Sequence, residues 1–359
     1  MSEWQIRLSD FSMPFPHRIN PLLPEAEAHV YDWVRRFRLT GTQAACERFD
    51  AWRIGYFASM TSPDVDRARL FLTAEFMSWL FLFDDQFDEG VLGRDPAAVD
   101  AVMEAMLDRI PVGRPADTPP SSPLQAALDD MWRQMRGYMP ESWQERYRAS
   151  MKLYFDAYCR ETRNRLQGRI PGVEEFVEIR RGGGAMPACV DVGELAAGRE
   201  VPARVLETPE YQELRLITAD VVCWNNDVFS LRKELVHGEC TNLVMSIAHE
   251  RGVSLQEAVD EAVAMANARL RTFVEIEPQL PKLMDSLDVP PEDQETVLGA
   301  VEVMKGWIRG NYDWSVDTTR YSKVVASEQG RDPEYLERLL SVPAVPRPRS
   351  GQSACAPQP

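Results

Sequence analysis

The run Met77-Ser78-Trp79-Leu80-Phe81-Leu82-Phe83-Asp84-Asp85-Gln86-Phe87-Asp88-Glu89 passes from a mostly apolar stretch straight into four carboxylates within six positions. On a helix, Asp84 and Asp88 are four residues apart and share a face. Met77, Leu80 and Phe81 lie seven, four and three residues before Asp84 and fall on that same face. Carboxylates this close repel one another. Clustering them at the end of a buried helix makes sense with a cation between them. Hard oxygen ligands of this kind suit Mg²⁺, which keeps several waters and bridges to a substrate phosphate.

A second oxygen-bearing row lies downstream, in Asn226-Asp227-Val228-Phe229-Ser230-Leu231-Arg232-Lys233-Glu234. Asn226, Ser230 and Glu234 are spaced four and four, so a helix lines them up with a drift of about 40° per step. An amide oxygen, a hydroxyl and a carboxylate make a three-point site for a hard cation. The preceding run, Leu216 to Trp224, is mostly apolar, so the row is expected to point into a cavity. Thr208 suits the N-cap of this helix and Pro209 its first position. Tyr211 to Val236 contains no proline or glycine, and His237-Gly238 is the expected stop.

Together these two rows resemble the paired metal boxes of bacterial class I terpene synthases, a DDxxD/E motif and an NDxxSxxKE-type triad. Two further segments are similar to signatures of that family. Trp314 is followed by Thr319-Arg320-Tyr321, like a terminal Arg-Tyr pair. Glu178-Ile179-Arg180-Arg181-Gly182-Gly183-Gly184 resembles the segment that carries a pyrophosphate-sensing arginine ahead of a helix break. The resemblance spans roughly residues 12 to 325.

The resemblance implies an all-α, single-domain bundle of helices around a central apolar cavity. It implies Mg²⁺-dependent ionisation of a linear prenyl diphosphate, foremost farnesyl diphosphate, then cyclisation and release of pyrophosphate. In that reading Asp84 is a metal ligand. Asp88 is either a ligand or the partner of a cation that orients the closed state. Asn226, Ser230 and Glu234 hold a further ion, and three Mg²⁺ in all is the family expectation. Arg180, Lys233, Arg320 and Tyr321 take diphosphate oxygens as partners. Arg181 competes with Arg180 for the sensor role, and motif register favours Arg180. Gly183 and Gly184 fall at the linker and effector positions of the helix break, and a glycine linker has no side chain to relay a signal.

Such a reaction needs an apolar, aromatic-rich chamber that keeps water from the cation. Phe57, Met77, Leu80, Phe81, Trp224, Trp307 and Trp314 are the candidates for its wall. Three other activities remain in view. A C20 cyclase acting on geranylgeranyl diphosphate shares every motif. A chain-elongating prenyltransferase should carry a second aspartate-rich box where this chain has the Asn/Ser/Glu triad. A non-catalytic helical interaction protein would need no aligned ligands. No DxDD motif appears, which argues against protonation-initiated cyclisation.

With 359 residues, 40 basic and 56 acidic side chains, the chain carries a net charge of −16. That argues against nucleic acid or an anionic membrane as partner. It also requires local cations wherever a pyrophosphate is bound. The prenyl diphosphate is the expected small-molecule partner and a second copy of the chain the candidate protein partner. The cysteines at 46, 159, 189, 223, 240 and 355 show no CxxC or zinc-like spacing and read as reduced residues of a cytoplasmic protein. No signal peptide is apparent at Met1-Ser2-Glu3-Trp4, and no apolar run reaches the length of a membrane span.

Prolines 14, 16, 21 and 24 make residues 1–24 an extended lead-in. Helical periodicity then places helices near 25–38, 43–53, 64–84, 96–109, 124–138, 142–167, 173–182, 209–236, 241–250, 254–277 and 291–315. No linker divides 25–341, so one domain is expected there. The Pro-, Ser- and Gln-rich stretch 342–359 is expected to be disordered.

Overall fold

Every regular element in the described residues is helical, as the apolar spacing requires. The computed structural model describes residues 6–88, 90, 92–237, 240–321 and 336–341. Fifteen α-helices follow one another there. They are α1 (Leu23–Arg36), α2 (Gln43–Trp52), α3 (Ile54–Thr61), α4 (Arg67–Asp88), α5 (Pro96–Leu107), α6 (Pro123–Tyr138), α7 (Glu141–Gln167) and α8 (Val173–Gly183). The rest are α9 (Met186–Ala197), α10 (Ala203–Leu206), α11 (Pro209–His237), α12 (Leu243–Arg251), α13 (Leu255–Ile276), α14 (Leu280–Ser286) and α15 (Pro291–Asp317).

Local chemistry fixes many of the starts. Asp95, Ser122 and Asn242 accept from the first backbone N–H groups of α5, α6 and α12. Ser254 and Glu257 form a reciprocal capping box on α13. The Thr208 hydroxyl accepts from the Tyr211 N–H at 3.3 Å, as expected for α11. The lead-in 6–20 carries no helix. It runs along α13, where Asn267 accepts from the Ser12 N–H at 2.7 Å and Gln256 from the Arg7 N–H at 2.8 Å.

The long helices surround a chamber. Helix α11 packs on α13, α15 and α9, α15 packs on α3, and α4 packs on α1, α3 and α6. Helix α7 backs α8 and α9. The helix expected to end at residue 84 continues one turn further, to Asp88. This extra turn carries Asp84 and Asp88 on one continuous helical face.

Four helices were not anticipated. Helix α3 follows α2 after one residue, Arg53, whose φ of 53° turns the chain sharply. Helix α9 is buried on nearly every side, so it has no polar stripe to give its period away. Helices α10 and α14 are only 4 and 7 residues long, too short to show a period. The expected disorder of 342–359 lies outside the described residues.

Candidate active site

The chamber has two connected lobes. The polar lobe takes Asp84 and Asp88 from α4, Arg180 from α8, and Asn226, Ser230, Lys233 and Glu234 from α11. Arg320 and Tyr321, just beyond α15, close its wall. The apolar lobe takes Phe57 from α3, Met77 and Leu80 from α4, Met186 from α9, Val222 from α11 and Trp307 from α15. Phe81, Asp84, Arg180, Gly183 and Asn226 belong to both lobes and form the neck between them.

Asp84 is held at the neck by two phenols one helical turn apart on α7. Tyr154 and Tyr158 both donate to its Oδ1, the latter at 2.5 Å. Burial, and then the charge of Asp88, push the Asp84 carboxyl up to about 6 in spite of these bonds. The Asp88 side chain is 36% exposed, with the Arg165 guanidinium 3.9 Å away. Asp85, between them, points elsewhere. It accepts from both Arg320 nitrogens, at 2.6 and 3.4 Å, with Arg48 at 3.5 Å and Lys233 at 3.8 Å. Arg320 also lies over the Trp52 and Phe81 rings, 4.5 and 4.8 Å from their centroids.

The α11 row faces Asp84 and Asp88 across the polar lobe. Asn226 accepts from Arg180 at 2.8 Å and donates to the Tyr321 hydroxyl at 2.6 Å. The Ser230 hydroxyl donates to Glu234 at 2.6 Å, and Asn242 donates to the other Glu234 oxygen at 2.8 Å. Burial pushes the Glu234 carboxyl up, with Arg180 opposing. Asp227 turns away from the lobe to meet Arg180 at 2.7 Å. It also accepts the Leu243 N–H at 3.3 Å, which ties the start of α12 to α11.

The two adjacent arginines of α8 separate cleanly. Arg180 lines both lobes. Arg181 is turned to Asp220 on α11, which it grips with two nitrogens at 2.7 and 2.8 Å. The helix then breaks over Gly184 and Ala185, and Ala185 adopts a φ of 54° before α9 begins. A Cβ on Gly184 would stand 2.2 Å from the sulfur of the buried Cys223, so any larger residue there would force that side chain to move.

The donor set fits a hard divalent cation. Carboxylates on opposite walls are both raised by burial, which means their charge is under-compensated by the protein alone. Among the described residues no three His, Cys, Asp or Glu side chains form one metal-holding group. A cation here would therefore take mixed ligands: carboxylate, amide and hydroxyl oxygens, completed by water or substrate. That is the ligand chemistry of Mg²⁺ rather than of zinc.

Most anticipated side chains meet at this chamber. Trp314 and Trp224 do not. Trp314 is buried behind the wall, stacked on Phe57 at 4.6 Å and bonded through its indole N–H to the Trp52 carbonyl at 2.7 Å. It supports Phe57 and Phe81 instead of lining the lobe. Trp224 is buried but belongs to neither lobe. Sequence reasoning missed Tyr154, Tyr158 and the role of Asp85. The spacing of the two tyrosines, four apart on a long helix, was the available signal.

Residues 75–272 match the model of terpene synthase family 2, C-terminal metal binding. Pristinol synthase from Streptomyces pristinaespiralis is 33% identical over 97% of this chain and 94% of its own length. A 7-epi-alpha-eudesmol synthase from Streptomyces viridochromogenes, described as (2E,6E)-farnesyl diphosphate cyclizing, is 32% identical over 87% of this chain and 91% of its own. Among solved structures, a-eudesmol synthase superposes with a TM-score of 0.76 at 29% identity, covering 86% of this chain and 99% of that one. Wild-type cucumene synthase gives 0.75 at 29% identity, covering 86% and 100%. Among the described residues no helix is long and apolar enough to cross a membrane.

Proposed function

Because the chain belongs to the bacterial class I terpene synthases, a family of metal-using enzymes, we propose that it ionises farnesyl diphosphate and cyclises the resulting cation, releasing pyrophosphate. The observation that carries this reading is the neck. One set of residues joins a lobe of acids and cations to a lobe of hydrocarbon and aromatic side chains. The C15 substrate is favoured by relatives described as farnesyl diphosphate cyclizing. Geranylgeranyl diphosphate is the alternative substrate, and chain elongation a more distant one.

The diphosphate would lie in the polar lobe. Arg180, Lys233, Arg320 and Tyr321 would take its oxygens, with Asp85 presenting Arg320 and Lys233 as a pair. We assign Mg²⁺, three ions in all, to Asp84 and Asp88 on one wall and to Asn226, Ser230 and Glu234 on the other. Bound there, Mg²⁺ offsets the charge that develops on the departing pyrophosphate. Asp88 has a second role open to it, as partner of Arg165 in the closed state. The prenyl chain would extend past Phe81 into the apolar lobe, where Phe57, Met77 and Trp307 exclude water and the aromatic faces stabilise the cation. Gly184 would let the backbone at the helix break approach the reacting carbons.

The test is incubation with geranyl, farnesyl and geranylgeranyl diphosphates, with Mg²⁺ or with EDTA, read by gas chromatography–mass spectrometry. A cyclic terpene from the C15 substrate alone, absent with EDTA, is expected. A product from the C20 substrate alone corrects the chain length. Longer prenyl diphosphates formed only with isopentenyl diphosphate would replace the reading with chain elongation.

A further inference from the structure

Apart from Asn226 at the neck, the apolar lobe has one amide in its wall. Asn311 stands one turn after Trp307 on α15, and both line the lobe. It is only 5% exposed. Behind it, on α11, Asn225 is 1% exposed and donates its amide nitrogen to the Asn311 oxygen at 2.7 Å. The remaining oxygen of Asn225 is buried with no hydrogen-bond partner. The Asn311 amide nitrogen makes no hydrogen bond to the described residues. Exchanging O and N on both side chains leaves the same count, one bond made and two polar atoms uncommitted.

This pair is costly where it stands. An unsatisfied buried amide atom costs about 1–3 kcal/mol, and a hydrocarbon pair of similar size would cost nothing of the kind. It also places a dipole in a chamber whose other deep side chains are Phe57, Met77, Leu80 and Trp307. Two thiols share the lobe, but Cys223 already points at the Arg180 carbonyl, 3.8 Å away. A water molecule that uses the free amide atoms would satisfy the pair, and polar sites with two or more partners are where buried waters reside.

Resting on the cyclase reading above, we propose that Asn311, anchored by Asn225, holds a water molecule that ends the reaction, so that the product is a cyclic alcohol. The water oxygen donates a lone pair to the cationic carbon and a C–O bond forms. One O–H bond then breaks, and its proton passes to an oxygen of the pyrophosphate released on ionisation. No oxidant or further reactant is needed. The amide pair fixes which face and which carbon the water can reach, while the hydrocarbon wall excludes other water.

The experiment is turnover of farnesyl diphosphate by the full chain in H₂¹⁸O, with products resolved by gas chromatography–mass spectrometry. The wild-type protein should give a cyclic alcohol as main product, two mass units heavier than in ordinary water. Asn311→Leu and Asn225→Leu should each lower the alcohol-to-hydrocarbon ratio by about tenfold, the worth of one hydrogen bond to the water. Asn311→Ala, which leaves the space open but removes the amide, should fall with them and serves if leucine disturbs folding. Cyclic hydrocarbons alone from the wild type would overturn the inference and leave the cyclase standing. So would an alcohol without ¹⁸O, or an alcohol fraction unmoved in Asn311→Ala. A wild-type chain that turns over no prenyl diphosphate would sink both readings.

Discussion

At the scale of single residues, spacing carries chemistry but orientation does not. The four-residue interval puts Asp84 and Asp88 on one helix face, and both line the polar lobe. Nothing in that interval says that Asp85 meets Arg320, a residue 235 positions away. Nor does it say that Tyr154 and Tyr158 converge on one Asp84 oxygen. Those contacts depend on how α7 and α15 dock, which only the folded chain decides. The phenol pair leads to a graded prediction. Both tyrosines use Oδ1, leaving Oδ2 of Asp84 without a phenol. Tyr154→Phe or Tyr158→Phe should weaken the Mg²⁺-dependent binding of pyrophosphate by about tenfold each, as expected for a hydrogen bond to a charged group. The double variant should lose more than either. Titration calorimetry with Mg²⁺ and pyrophosphate reads this directly, and unchanged affinity in the double variant would deny the phenols a positioning role. Asp84→Ala and Asn226→Ala should each cut turnover by at least about 10²-fold with helical content intact by circular dichroism. Near wild-type turnover in either would remove that residue from the metal site.

At the scale of elements, helices with a wet face were legible, whereas α9, buried all round, was not. Helices α1, α6 and α13 have one wet face, and their spans were anticipated to within a few residues. Helix α9 buries Asp191 and Glu194 along with its apolar residues, so its pattern reads as neither core nor surface. What holds it is a charge network. Arg146 from α7 and Arg215 from α11 both reach Asp191 and Glu194, with contacts of 3.2 Å from Arg146 and of 2.7 and 3.2 Å from Arg215. Removing one cation leaves two buried carboxylates to share the single guanidinium of Arg215, and Arg146→Met should cost about 3 kcal/mol in urea unfolding. Burial, partly offset by Arg146, pushes the Glu194 carboxyl up to about 7. A carboxyl raised on folding contributes stability that is fully present below its unfolded value, near 4.3, and is lost as pH rises through about 7. Glu194→Gln should therefore flatten the stability profile between those limits. An identical slope in wild type and variant would show that this carboxyl does not titrate in that window. The network matters for function because α9 brings Met186 and Cys189 to the apolar lobe.

At the scale of the whole molecule, the non-helical segments 6–20 and 336–341 are both fastened to the helices, and no local pattern announced it. The lead-in lies along α13. Residues 336–341 lie against α4 and the starts of α2 and α6. Glu337 accepts from the backbone N–H groups of Gly41, at 2.7 Å, and Thr42, at 2.5 Å, just ahead of α2. Leu339 is 3% exposed, donates its N–H to the Gln86 side chain at 3.0 Å and accepts the Leu124 N–H at 3.3 Å. Gln86 is the residue after Asp85, so this strap bears on the outer side of the helical turn that presents Asp84 and Asp88 inward. The sequence reading ended its domain at 341, but without any partner for these last residues. If the strap is part of the folded core, Leu339→Ala should destabilise the chain by about 2 kcal/mol, the low end for a buried leucine because a peripheral segment can settle into the gap. Urea unfolding measures it. The bonds at Gln86 and Leu124 are made by the backbone of residue 339 and survive the change. Turnover should therefore fall less than the Asp84 variants do, by under about tenfold. A stability equal to wild type would show that the strap contributes nothing to the fold. A loss of turnover as deep as in Asp84→Ala, with stability intact, would instead make the strap a determinant of how the aspartate turn is aimed.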